Sequence, residues 1–102
     1  MADLMSQTDH RGSDWSGPIS NVVLAGLNTW TASWHDTVHN ETHTLRITID
    51  DTKSTIDIFE MQPEQHWTGP YKIVNGAYLS AGHLANGAGD RVFSAVITLP
   101  QP

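Results

Sequence analysis

The 102-residue chain has no cysteine. That excludes a disulfide framework and thiolate chemistry, and it leaves the compartment unreadable. Cations are scarce, with five Lys and Arg against eleven Asp and Glu and a formal net charge of −6. Nucleic-acid binding rests on neutralising phosphates, so no such partner is expected. The same deficit argues against an anionic membrane surface. No apolar run approaches the roughly 18 residues of a spanning helix. The N-terminus lacks a basic region followed by an apolar stretch, so no signal peptide is expected. Hydrophobic residues reach only 38%, although four Trp compensate with large buriable side chains. No segment shows convincing helical periodicity.

What the chain does have is alternation with period two, cut by turn residues, which is the pattern of half-buried strands. Met1–Pro18 is polar and rich in Ser, Asp and Gly, and reads as a flexible N-terminal arm anchored by Trp15. Residues 19–102 read as a single β domain. Asn21–Leu27 is a short first strand. Trp30–Val38 against His43–Ile49, with a turn at His39–Thr42, sets Asp36 opposite Leu45, Trp34 opposite Ile47 and Ala32 opposite Ile49. His43–Asp50 against Lys53–Glu60, with Asp51-Thr52 as a two-residue loop, sets Ile47 opposite Ile56, Leu45 opposite Ile58 and His43 opposite Glu60. In His66–Val74, Pro70 removes a ladder donor, so Gly69-Pro70 implies a bulge or a strand at a sheet edge.

Asn75-Gly76 is the strongest turn signal, because both residues accept the positive φ of a type I′ turn. It pairs Val74 with Ala77, Ile73 with Tyr78 and Tyr71 with Ser80. Across the glycine-rich loop Ala85–Asp90, Phe93 faces Gly82, Ala95 faces Ser80 and Ile97 faces Tyr78. The inward set is then Tyr71, Ile73, Tyr78, Phe93, Ala95, Ile97 and Leu99. About seven strands joined by short turns predict an all-β, antiparallel up-and-down meander, closed as a barrel in preference to a sandwich. In architecture alone this resembles a calycin-type barrel; no family motif accompanies it.

Three groups of residues carry chemistry. Asp36, His43 and Glu60 fall on the inner face, with His43 and Glu60 directly opposite, on the order of 5 Å apart at Cβ. A carboxylate beside an imidazole orients the ring and stabilises its charged form. Such a cluster suits a general acid and base, or the polar end of a ligand site; equally, it suits a solvated barrel mouth whose residues pair only with one another. The second group is His35, His39 and His43. A helix would line them up as metal ligands, but on a hairpin they diverge, so no metal and no cofactor is expected. The third is Trp15, His66, Trp67 and Tyr71 with Asn86 and Asp90. Aromatic faces beside amides and carboxylates suit carbohydrate, while inward alternation also makes Trp67 and Tyr71 core. The row His35, Arg46 and Asp57 reads as a surface charge ladder. Gly82–Gly89 lacks the Lys-Ser/Thr ending of a phosphate loop.

The leading expectation is a barrel that binds a small organic or carbohydrate ligand. Trp30, Trp34, Tyr71, Tyr78, Ser80 and Phe93 would line the interior, and Asp36, His43 and Glu60 would orient the ligand. One alternative is a cofactor-free isomerase, cyclase or lyase using His43 and Glu60. The other is an interaction module acting through the outward Phe59, Val74, Leu79 and Val96. Open sheet edges and that outer face would favour a homo-oligomer.

Overall fold

The computed structural model describes residues 3–8, 14–61, 64–85 and 91–101. They form eight strands: β1 (Leu4–Thr8), β2 (Asp14–Gly26), β3 (Thr29–Asp36), β4 (Glu41–Asp50), β5 (Thr55–Glu60), β6 (Gln65–Val74), β7 (Ala77–Leu84) and β8 (Val92–Ile97). Each strand pairs antiparallel with the next, and β8 pairs with β1 to close a barrel. The eighth strand comes from the segment read as an arm, which supplies β1 and the start of β2. Its Met5 and Gln7 are buried while Leu4, Ser6 and Thr8 face out, a five-residue alternation too short to stand out in polar surroundings.

The last two hairpins pair in the register that alternation predicts. Val74 faces Ala77 and Tyr71 faces Ser80, while Ser80 faces Ala95 and Gly82 faces Phe93. Asn75 and Gly76 have φ of 51° and 82°, as a type I′ turn requires. The two preceding hairpins differ. Trp34 faces His43 and Ala32 faces Leu45, while Leu45 faces Glu60 and Ile47 faces Ile58. In each case the loop occupies other residues than the alternation implied, 37–40 and 51–54. Both loops end in a residue of positive φ, Asn40 at 54° and Ser54 at 55°. The shifts are even, so every side chain keeps its face and only its partner changes.

The Gly69-Pro70 expectation is corrected as well. Closure leaves no edge, and β6 and β7 keep one register from Thr68↔His83 to Tyr71↔Ser80, with no bulge. Ser80 Oγ donates to the Pro70 carbonyl at 2.7 Å where the ladder is interrupted.

The interior is packed with side chains. Trp34, Trp67, Met5, Leu45, Ile47, Ile56, Ile58 and Ile97 are fully buried, and Trp30, Phe93 and Leu99 nearly so. Burying one such side chain stabilises by about 1.5–3 kcal/mol. Ile73 departs from the inward set: it is 56% exposed, because the β6–β7 hairpin tip carries it beyond the core. On the outer face, Arg46 pairs with Phe59 and Phe59 with His66, so the expected row of His35, Arg46 and Asp57 does not form. The Arg46 guanidinium lies 4.6 Å from the Phe59 ring centre, and His66 stacks on Phe59 at 4.3 Å.

Candidate functional site at one rim of the barrel

An up-and-down barrel gathers the ends of β1, β3, β5 and β7 and the starts of the strands that follow them at one rim. Several of the inward residues there are polar. Gln7 from β1, Asp36 from β3 and Glu60 from β5 are buried at 3%, 0% and 4% exposure. Buried polar groups cost free energy unless they are bonded, and these three are bonded in two separate networks.

Glu60 centres the first. Its Oε1 accepts from Gln7 Nε2 at 2.9 Å and from Trp67 Nε1 at 3.4 Å. Gln7 Oε1 in turn accepts from Arg91 Nη2 at 2.9 Å. An ionised carboxylate only accepts and a guanidinium only donates, so the amide between them has one orientation. Arg91 lies between two indoles, 5.1 Å from the Trp15 ring centre and 5.2 Å from that of Trp67. Both distances are within cation–π range. Arg91 Nε is buried with no hydrogen-bond partner among the described residues.

His43 completes this network. Its Nδ1 is 3.4 Å from Glu60 Oε2, and its Nε2 is 3.4 Å from Glu41 Oε2. The ring tilts against Trp34 at 5.3 Å, which fixes its plane. The His43 side chain is 13% exposed. It borders a concavity of about 570 Å³ lined by Glu41, Thr42, Thr44 and Met61.

Asp36 belongs to the second network. Its Oδ1 accepts from the backbone N–H groups of Ser16 and Val38, at 3.0 and 3.1 Å. Its Oδ2 pairs with His39 Nδ1 at 2.7 Å. Burial pushes this carboxyl up, but the Ser16 N–H, the His39 ring and the Val38 N–H outweigh it, and the group sits below its ordinary value. His39 stacks on Trp15 at 5.2 Å. His39, Trp15, Arg91 and Trp67 thus form one pile, and Asp36 fastens its outer end. The structure brings His43 and Glu60 together; it gives Asp36 to the 37–40 turn instead.

The six residues expected to line a ligand cavity are spread along the interior. Trp34 Nε1 donates to the carbonyls of Met5 and Gly17, at 3.1 and 3.2 Å. Trp30 Nε1 donates to the Pro100 carbonyl at 2.7 Å. Phe93 meets Trp67 edge-on at 6.0 Å. Tyr71 and Tyr78 tilt together at 5.2 Å towards the opposite rim, beside Ser80. There burial raises the Tyr71 hydroxyl, and Tyr78, Asp51 and Asp50 add to it. Of the aromatic and polar loop set, Trp15 and Trp67 clasp Arg91, His66 faces outward, and Asn86 and Asp90 lie outside the described residues.

The residues that sequence reasoning missed are Gln7 and Arg91. Gln7 sits in the segment read as an arm. Arg91 had a usable signal: stepping back two residues from the inward Phe93 puts it on the inner face. Among the described residues no group of three or more His, Asp or Glu converges as a metal would require. Comparison with protein-family models, with curated proteins and with solved structures finds no match to this chain.

Proposed function

We propose that the barrel binds a small, hydroxyl-bearing organic molecule, with carbohydrates in that class, at the rim where His43 meets Glu60. One observation carries this reading: Glu60 is held from behind while one of its oxygens stays in reserve. Gln7 and Trp67 occupy Oε1, whereas among the described residues Oε2 has only the 3.4 Å approach of His43. A carboxylate oxygen accepts two hydrogen bonds, so Oε2 has capacity for a ligand hydroxyl. His43, which lies between Oε2 and the rim concavity, and Glu41 both line that concavity and supply a donor and a further acceptor. A concave site with a few convergent polar groups on rigid strands is the usual form of a small-molecule site.

The test is calorimetric titration with a panel of mono- and disaccharides and small polyhydroxy acids, on wild type, Glu60→Gln and His43→Ala. At least one panel member should bind, and both substitutions should weaken its binding by the folded protein tenfold or more. No binding across the panel, or equal binding by all three proteins, would overturn the reading.

The Nδ1–Oε2 approach also favours a second reading, in which the pair acts as general acid and base on such a ligand. Turnover of a bound panel member, lost in His43→Ala while binding persists, would separate catalysis from binding.

A further inference from the structure

Away from the rim, the outer surface over β1, β8 and β7 carries two adjacent rows set by the strand register. Leu4 lies beside Val96 and Val96 beside Leu79, making a ridge of large apolar side chains. One step along each strand, Ser6 lies beside Ser94 and Ser94 beside Ala81, making a trough of small ones. The concavity over these rows measures about 590 Å³. Leu4 is 48% exposed. Lone exposed apolar residues need no explanation, but a contiguous ridge does.

We propose that this face is the contact surface of a homodimer, the ridge of one copy lying in the trough of the other. Three observations select a second copy of this chain. First, the pattern is self-complementary. A two-fold axis lying in the plane of the interface, parallel to the two rows and midway between them, sets each ridge over the partner's trough, as an isologous interface requires. Second, the trough floor can be dried at little cost. Ser6 Oγ and Ser94 Oγ hydrogen-bond to each other at 2.8 Å, so their polar atoms are already partnered. Third, charge permits the approach. The chain carries a net −6, yet among the described residues no Asp or Glu lines this concavity, and Lys72 is the one charged residue that does. Two acidic copies meeting here avoid the repulsion that carboxylates would impose. Closure of the barrel rules out the other route to self-association, strand addition at a free edge.

Sedimentation velocity over about 5–500 μM, a span that brackets micromolar association, tests the proposal. Wild type should sediment at twice the mass of one chain. Leu79→Lys and Val96→Lys should weaken association at least tenfold, whereas Thr31→Lys, on the outer face of β3, should leave it unchanged. A monomeric wild type would overturn the proposal, including one that binds an apolar dye at this face. So would variants that dimerise as wild type does. Should either lysine variant fail to fold, Ser94→Cys in this cysteine-free chain takes its place. A short bis-maleimide should link it into covalent dimers and leave Thr31→Cys monomeric; equal yields would count against the dimer.

Discussion

The two rims of this barrel are built from the same strands by opposite means. At one, strand ends bring Gln7, Asp36, His43 and Glu60 inward, and β3 and β4 are joined there by 37–40. At the other, turns at 27–28, 51–54 and 75–76 contain Asn28, Ser54, Asn75 and Gly76 at positive φ. There the chain after β8 folds across the opening. Leu99 is 4% exposed, and the Pro100 carbonyl accepts from Trp30 Nε1. The contrast separates two tasks. The closed rim seals the core, and its loops are held by local side-chain caps at the surface, as Asp50 Oδ1 does in accepting from the Thr52 and Lys53 N–H groups. The polar rim holds charges at low exposure and keeps them there only through specific partners.

Breaking the closed rim should cost most. Trp30→Ala removes a nearly buried indole and leaves the Pro100 carbonyl without its donor. It should cost about 3–5 kcal/mol in urea unfolding. If the rims are separate, panel binding by the folded fraction should stay within about twofold, equivalent to roughly 0.4 kcal/mol. Next comes Gln7→Leu, which keeps apolar volume but strips the bridge between Arg91 and Glu60. Two charged groups lose a partner, so the loss should be about 2–3 kcal/mol. Ligand binding should weaken with it, since Glu60 is no longer held.

Asp36→Asn should have the smallest effect, about 1–2 kcal/mol at pH 7, with a pH signature. The folded Asp36 carboxyl sits below its ordinary value. Its contribution is therefore complete above the unfolded value near 3.9 and is lost as pH falls through the lower folded value. The stability gap between wild type and Asp36→Asn, measured by urea titration at pH 7, 4 and 3, should narrow on the acid side. A gap that stays constant or widens would show that Asp36 acts through packing alone.

How much of this was legible in the sequence depended on the turns. Asn75-Gly76 has one economical conformation, so β6 and β7 pair legibly from Tyr71 to Ser80, and inward alternation alone extends the pairing to β8. The Thr, His and Asn residues of 37–40 and the Asp, Thr, Lys and Ser residues of 51–54 permit several turn lengths, and both registers slipped. An even slip preserves faces, which is why His43 and Glu60 were placed inside although they are not direct partners. Asp36 was legible as an inward carboxylate. Its destination was not, because a bond to Ser16 of β2 and another to His39 depend on how loops return in space. Arg91 and Gln7 reach each other only through the β1–β8 closure, a pairing that no local pattern announces.

That closure also sets the order of events during folding. The Ser6–Ser94 contact spans 88 residues of sequence, whereas the hairpins join neighbours across a few. Loop-closure entropy makes such a seam the slowest contact to form. The seam cannot close until β8 has been synthesised, so any meander formed earlier on a nascent chain has two unpaired strand edges. The Gln7–Arg91 bridge cannot exist before that moment, so the polar rim is assembled last, by the same step that removes the edges.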